Sequence, residues 1–124
     1  MKYLLDVNVL IAGIVASHSQ HAQASTWLAG KTIVVCPLSE LGFLRICTNP
    51  QIMGFTMADA RRLLENFMSL SKAEKIPADL SALESHPRTH AQVTDHYLAD
   101  LAAKHGMKLA TLDANLSHPA AEQI

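Results

Sequence analysis

Apolar residues follow two patterns along the chain: short continuous runs, and longer stretches in which they recur at helical spacing. The continuous runs cover Tyr3 to Leu5, Thr32 to Cys36 and Leu109 to Leu112. Runs of this kind are typical of strands that are buried on both faces of a sheet. Two weaker segments, Lys75 to Pro77 and Glu122 to Ile124, indicate marginal edge strands.

The stretches with helical spacing lie between these strands. The first begins at Asn8, which is expected on one stripe with Ile11, Ala12 and Val15. The other predicted helices cover His21 to Leu28, Ser39 (or Pro37) to Ile46, Thr56 to Leu70, Leu80 to Glu84, and Asp95 to His105. Strands that alternate with helices imply βα crossovers and a mainly parallel sheet covered by helices, so the fold class is α/β.

Local signals predict several helix ends. Thr56 and Asp59 form a capping-box-like start, with Asp in place of Glu or Gln. Asp79 and Thr94 are expected to cap the two helices that follow them, and Gly106 is expected to end the last helix.

Composition narrows the class of protein. A chain of 124 residues, of which 49% are hydrophobic, suits a single domain spanning residues 1–124. No apolar run is long enough to cross a membrane, and no signal-peptide pattern is present. Cys36 and Cys47 are expected as buried thiols, which fits a cytoplasmic protein. The formal net charge of −1 does not identify a substrate.

Several carboxylates stand where a parallel sheet gathers its ligands, at the carboxyl ends of the strands. Asp6 and Asp113 follow the first and the last buried strand. Glu40 lies on the apolar stripe of its helix, just past the second strand, and Asp95 begins a helix on its inward face. Asp100 points away from Asp95 around the same helix and is assigned to the solvated surface.

Carboxylates that converge repel one another, and a hard divalent cation offsets that repulsion. Oxygen ligands without histidine suit Mg²⁺ or Mn²⁺, whose chemistry at such sites is phosphodiester or phosphoryl transfer. Each acid also has an ordinary structural interpretation. Asp6 and Asp113 could be turn residues or caps, Asp95 could favour its helix dipole, and Glu40 could pair with Arg45. The set as a whole favours a site.

The segments around these acids, taken in order, resemble the PIN domain family, and within it the VapC-type ribonuclease toxins of bacterial toxin–antitoxin pairs. The segments are Tyr3 to Ile11, Cys36 to Ile46, Val93 to Ala99 and Leu109 to Asp113. The resemblance implies a three-layer α/β/α sandwich with a central parallel sheet. It also implies Mg²⁺- or Mn²⁺-dependent cleavage of RNA, and inhibition by a small cognate antitoxin that also binds DNA.

The resemblance implies roles for individual residues as well. Asn8 and Thr111 match positions that support the acids by hydrogen bonds. Arg45 falls in the helix that carries the glutamate, where it would contact substrate phosphate or Glu40. The C-terminal region is short for the family, which leaves the last strand reduced or absent. The catalytic and metal-binding acids of the family correspond to Asp6, Glu40, Asp95 and Asp113.

Three other interpretations remain. A phosphatase of the haloacid dehalogenase type also opens with a strand and an Asp, but it needs a second Asp where Asn8 stands. A zinc enzyme is suggested by seven histidines, including the pairs 18/21 and 86/90, but these pairs lie in polar loops or helix starts and favour surface histidine. A PIN-like module without catalysis would only engage an antitoxin or a nucleic acid, and the intact set of acids argues against it.

Some apolar surface is left unassigned. The helix from Thr56 to Leu70 and the segment Leu80 to Leu83 carry more apolar residues than a small sheet needs. A homodimer face, an antitoxin groove and ordinary core all remain open as explanations.

Overall fold

The computed structural model describes all 124 residues. Its elements in chain order are β1 (Lys2–Leu5), α1 (Val7–Ile14), α2 (His21–Leu28), β2 (Thr32–Val35), α3 (Pro37–Thr48), α4 (Met57–Leu70), β3 (Glu74–Lys75), α5 (Val93–Lys104), β4 (Lys108–Thr111) and β5 (Ala121–Gln123). Two short 3₁₀ turns, Ala82–Glu84 and His90–Gln92, lie between β3 and α5. None of the helices combines the length and the apolar character that a membrane span requires.

The strands form one five-stranded sheet in the order β3-β2-β1-β4-β5, and every neighbouring pair is parallel. The first strand therefore occupies the centre, with Leu4 opposite Val34 on one side and Leu109 on the other. Because all strands point the same way, their carboxyl ends meet at one edge of the sheet, as expected for ligand sites in such folds.

Neighbouring residues of the central strands pack on opposite faces of the sheet, as the strand period requires. Leu5 lies in an apolar cluster with residues of α1, α3 and α4, including Phe43 and Leu64. Leu4 lies in a second cluster with residues of α5, including Leu98. The sheet is thus covered on both faces, and the predicted three-layer α/β/α sandwich is confirmed.

The close contact between α1 and α3 depends on Gly42. A Cβ atom at this position would lie 2.5 Å from a methyl group of Val7, a distance at which the Val7 side chain or one of the two helices must shift. This close approach holds α3 against the start of α1, and it fixes the first turn of α3 beside the end of β1.

The edge strands are present but short. β3 contributes only Glu74–Lys75, one residue before the predicted start. β5 covers Ala121–Gln123 and pairs in parallel with β4, so the short C-terminal region does form a last strand.

Two predicted caps are wrong. Thr94 does not cap α5, because the 3₁₀ turn His90–Gln92 winds directly into the helix and Val93 already has helical backbone angles. Asp79 does not cap the short helix, whose N-cap is Ser81; the Asp79 carboxylate is instead engaged by His105 Nε2 at 2.7 Å.

Two predicted helix-end signals agree with the structure, whereas α3 runs two residues past its predicted end to Thr48 and the predicted helix Leu80 to Glu84 is only the 3₁₀ turn Ala82–Glu84. Thr56 accepts a hydrogen bond from the backbone N–H of Asp59 at 3.1 Å, and Gly106, with a φ of +70°, follows the last turn of α5. The predicted stripe of α1 is wrong at its first position, because Asn8 is exposed while Ile11, Ala12 and Val15 are buried.

Candidate functional site

Asp6 stands at the junction of β1 and α1, in the middle of the sheet. Its backbone N–H donates to the carbonyl of Ala110 at 3.2 Å, and its backbone angles are extended. Its carboxylate Oδ1 accepts a hydrogen bond from Val9 N at 2.8 Å and caps α1. The residue is only 1% exposed, and its second oxygen, Oδ2, has no hydrogen-bond partner. A buried carboxylate oxygen without a partner is costly, and it indicates a ligand-binding role.

Asp95 and Asp113 lie near enough to act on Asp6 electrostatically. Burial is the largest cause that raises the pKa of Asp6, to about 6, and the charges of Asp95 and Asp113 raise it as well. The hydrogen bond from Val9 N and the nearby hydroxyl of Thr111 lower the pKa. The pKa of Asp95 is also raised, by burial and then by the charge of Asp113. The structure therefore brings three of the predicted acids into one group with mutual repulsion.

Thr111 and Asp113 form a fixed turn at the end of β4. The buried Thr111 Oγ1 accepts a hydrogen bond from Asp113 N at 3.0 Å. Asp113 Oδ1 in turn accepts from Asn115 N at 2.8 Å. Thr111 thus positions the Asp113 backbone, and it also lies close enough to lower the pKa of Asp6, although Oδ2 of Asp6 remains without a hydrogen bond.

Glu40 lies in the first turn of α3, with its side chain 29% exposed. Its cationic neighbour is Lys75 of β3, with 4.0 Å between Lys75 Nζ and Glu40 Oε2. It does not appear among the charges that act on Asp6 or Asp95. The structure therefore leaves Glu40 beside Lys75, and its place among the acids stays a prediction.

The neighbouring Ser39 was missed by sequence reasoning. It is fully buried, and its hydroxyl donates to the backbone carbonyl of Leu5 at 2.8 Å, which ties α3 to the end of β1 one residue before Asp6. A serine on the buried side of a helix, directly before a glutamate, is the signal that could have found it.

Asn8 and Arg45 stay without contacts in the chain. Asn8 is exposed in α1 and its side chain makes no hydrogen bond. Arg45 is exposed in the last turn of α3 and forms no ion pair with Glu40, whose cationic neighbour is Lys75. Their roles toward the acids and the substrate stay predictions.

Asp100 was assigned to the solvated surface, and this is wrong. Its side chain is 25% exposed and accepts hydrogen bonds from two histidines, His96 and His118. The spacing of His96 and Asp100, four residues apart on one helix, places them on the same face and was the available signal.

A hard divalent cation fits the acids around Asp6. Asp6 Oδ2 is free to bind a ligand, and both Asp6 and Asp95 are destabilised as anions by burial and by neighbouring negative charge. An oxygen-only donor set of this kind suits Mg²⁺ or Mn²⁺.

Comparison with known proteins decides the family. The profile of the PIN domain matches residues 3–122. The chain belongs to the PIN domain family. It is 37% identical over 123 residues to Ribonuclease VapC29 of Mycobacterium tuberculosis, covering 95% of this chain and 90% of that protein. It is 35% identical over 121 residues to Ribonuclease VapC38 of the same organism, covering 91% of this chain and 86% of that protein.

Solved structures with the same PIN fold include two toxin–antitoxin assemblies. One is VapBC2 from Rickettsia felis bound to a DNA fragment from its promoter, with a TM-score of 0.67, 13% identity, and coverage of 100% of this chain and 99% of that chain. The other is a toxin–antitoxin complex from Klebsiella pneumoniae, with a TM-score of 0.62, 15% identity, and coverage of 97% and 95%. At these identities the likeness shows the fold alone.

Proposed function

We propose that this PIN domain chain is a Mg²⁺- or Mn²⁺-dependent endoribonuclease that acts as the toxin of a toxin–antitoxin pair. The observation that carries the proposal is the buried, unpartnered Oδ2 of Asp6, beside the charges of Asp95 and Asp113. Membership of the family and relatives named ribonuclease support it.

Asp6, Asp95 and Asp113 would hold the metal, with Glu40 as the fourth acid. When bound, the metal would activate a water for attack on an RNA phosphodiester and stabilise charge on the leaving oxygen. The chain's own contribution is to hold the carboxylates in place. Val9 N–H fixes one oxygen of Asp6, so Oδ2 is the oxygen left for a ligand. The turn of Thr111, Asp113 and Asn115 fixes the carboxylate after β4.

Glu40 can join the other acids at small cost. Its contact with Lys75 is 4.0 Å long and both side chains are partly exposed, and an exposed ion pair of this kind contributes little to stability. Rotation of the Glu40 side chain away from Lys75 would therefore be easily offset by metal binding. Arg45, exposed on the same helix, is the proposed contact for a substrate phosphate.

A cognate antitoxin is the proposed protein partner. A groove lies between α3 and α4, lined by both apolar and charged residues. Leu41 in this groove is 62% exposed and so offers apolar surface to a partner. An amphipathic segment of the antitoxin would cover it. The lining residues are Pro37, Glu40, Leu41, Leu44, Arg61, Leu64, Glu65, Met68 and Lys75.

A homodimer remains part of the proposal. A second apolar hollow lies beside the start of α5, where Leu38, Leu80 and Val93 contribute to the lining. Val93 is 49% exposed and the nearby Leu83 is 89% exposed. Light scattering on wild type and Val93→Ser would test this face, and an unchanged mass would contradict its use in a dimer.

One observation favours the alternative of a binding module without catalysis. Glu40, the fourth predicted acid, has Lys75 as its charged neighbour and is not among the charges that raise the pKa of Asp6 or Asp95. A module of this kind would bind antitoxin or nucleic acid normally and would show no turnover.

The deciding experiment is RNA cleavage by the purified chain, free of antitoxin, with Mg²⁺ or Mn²⁺ and with or without chelator. We expect cleavage that chelator stops and that Asp6→Asn, Asp95→Asn and Asp113→Asn abolish. Asp59→Asn, an exposed acid of α4 that pairs with Arg62, is the matched control and should cut normally. Cleavage that persists in chelator would contradict the metal mechanism, and RNA binding without cleavage would support the inactive module.

A further inference from the structure

Three side chains on the α5 face of the sheet form a compact cluster that the proposed nuclease mechanism does not use. His96 and Asp100 lie one turn apart on α5, and His118 lies in the segment that leads into β5. The distance from His96 Nδ1 to Asp100 Oδ2 is 3.1 Å, and that from His118 Nε2 to Asp100 Oδ1 is 2.7 Å. One ligand atom from each residue lies within 4.8 Å of the other two.

We propose that His96, Asp100 and His118 form a binding site for a transition-metal ion, Zn²⁺ in the first place, separate from the carboxylate centre. Two imidazole nitrogens and one carboxylate oxygen are a donor set that zinc accepts, with a fourth position left for water. Magnesium and calcium prefer oxygen ligands, so this site and the carboxylate centre would select different ions.

The spacing of the ligand atoms suits a tetrahedral ion. Ligand atoms about 2 Å from a zinc ion lie roughly 3.3 Å from each other. The observed separations of 2.7 and 3.1 Å around Asp100 are shorter than this by about 0.2–0.6 Å. The third separation, between the two ring nitrogens, is no more than 4.8 Å. His118 is 9% exposed, Asp100 25% and His96 19%, so the site is largely shielded from solvent.

Metal binding requires defined protonation of both rings. His96 would bind through Nδ1, which now donates to Asp100, so in the metal-bound state its proton must lie on Nε2 instead. His118 would bind through Nε2, so the proton that this nitrogen now donates to Asp100 must be replaced by one on Nδ1. The backbone N–H of Ala120, which donates to His118 Nδ1 at 3.0 Å, would then have to turn away. No net proton is gained or lost in this change of tautomer.

The surroundings support the ligands. The hydroxyl of Ser85 lies 3.1 Å from His96 Nδ1, so with a metal on this nitrogen it would be placed to hydrogen-bond a metal-bound water. His96 also lines a cleft whose other lining residues are all polar, among them His86 and Gln92, so the surroundings on this side are hydrophilic.

The site would connect the C-terminal segment to α5. His118 is only three residues before β5, an edge strand of three residues. A zinc ion bound by α5 and by this segment would therefore hold β5 against β4. Without metal, the same side chains already hydrogen-bond to one another and can connect the C-terminal segment to α5. A change in stability alone would therefore not show a metal site, so the test must measure metal binding directly.

The decisive measurement is Zn²⁺ titration of the metal-free full chain by calorimetry, in excess Mg²⁺ that fills the carboxylate centre. We expect one Zn²⁺ per chain, a rise in Tm, and a loss of affinity of more than about tenfold in His118→Gln and in His96→Gln. Co²⁺ should give visible absorption bands of a tetrahedral ion in wild type and in Asp6→Asn, and should lose them in His118→Gln.

His86→Gln is the matched control, because His86 lies in the adjoining cleft and is not a ligand. It should bind Zn²⁺ like wild type. If wild type binds no Zn²⁺ in excess Mg²⁺, or if both ligand variants bind it unchanged, the proposal is wrong. These readouts do not involve RNA, so they stand whether or not the chain cleaves it.

Discussion

The hydroxyl of Ser39 donates a hydrogen bond of 2.8 Å to the backbone carbonyl of Leu5, and this bond joins the first turn of α3 to the end of the central strand. The carbonyl precedes Asp6 and the hydroxyl precedes Glu40. One buried contact thus sets the relative position of the segments that carry two of the proposed acids.

Replacing Ser39 with Ala should destabilise the fold by about 1–3 kcal/mol, because the buried carbonyl of Leu5 would lose its partner from α3. Urea unfolding measures the change. Ser69→Ala, an exposed serine of α4, is the control and should change the free energy of unfolding by less than about 0.5 kcal/mol. Equal losses in the two variants would contradict a special role for the Ser39 bond.

The raised pKa of Asp6 predicts a specific dependence of stability on pH in the absence of metal. Burial, with further contributions from Asp95 and Asp113, raises the pKa of Asp6 from 3.8 to about 6 in the folded chain. Between these values the folded state binds more protons than the unfolded state, so stability falls as pH rises and the penalty is complete above about pH 6. Asp6→Asn should therefore raise the free energy of unfolding at pH 7 by about 1–3 kcal/mol.

Urea unfolding in chelator at pH 7 and below pH 4 would test this. The gain in Asp6→Asn should be present at pH 7 and small below pH 4, where Asp6 is protonated in both states. Asp59→Asn removes an exposed acid that pairs with Arg62 and should show no such gain. If Asp6→Asn is less stable than wild type at pH 7, the ionised Asp6 carboxylate does not destabilise the folded chain, which would contradict this prediction.

Bound metal should offset the loss of folding stability that ionised Asp6 causes. At ten times its dissociation constant, Mg²⁺ or Mn²⁺ should stabilise the wild type by about 1.4 kcal/mol, because it binds the folded state alone. Thermal unfolding with and without the ion measures the effect, which should vanish in Asp6→Asn. An unchanged gain in that variant would place the metal elsewhere in the chain.

Glu40 and Lys75 give opposite predictions for catalysis. If Glu40 serves as the fourth acid, Glu40→Gln should abolish RNA cleavage with little change in stability, because its contact with Lys75 is long and partly exposed. Lys75→Gln should retain cleavage, since it removes only the competing cation. Single-turnover cleavage at saturating metal compares them. Normal cleavage by Glu40→Gln would restrict the site to Asp6, Asp95 and Asp113.

The sequence predicted the parts of this fold that depend on local pattern. β1 and β2 were visible as continuous apolar runs because both faces of each strand are buried. Asp6 was visible because the apolar run ends directly at a carboxylate. In the same way, Asp113 was visible as the acid that follows β4.

Contacts between segments far apart in the chain were not predictable in this way. Lys75 reaches Glu40 because β3 pairs with β2, which places it opposite Val35, and no local pattern encodes that register. The misassigned cap at Thr94 has a local cause, since a 3₁₀ turn without a strong sequence signal already starts the winding of α5. Asp100 was misassigned because its partner His118 follows β4 in the chain, whereas Asp100 lies in α5, which precedes β4.

Replacing Asp100 should change the stability of the fold rather than RNA cleavage. Asp100→Asn removes the charge that accepts hydrogen bonds from His96 and His118, and an amide cannot accept from both as strongly. We expect a loss of about 1–3 kcal/mol in the free energy of unfolding. RNA cleavage should remain, because Asp100 is not among the charges that act on Asp6 or Asp95. Urea unfolding and a cleavage assay on the same preparation separate the two effects. Loss of cleavage in a folded Asp100→Asn variant would mean that the His96 cluster and the carboxylate centre are coupled through α5.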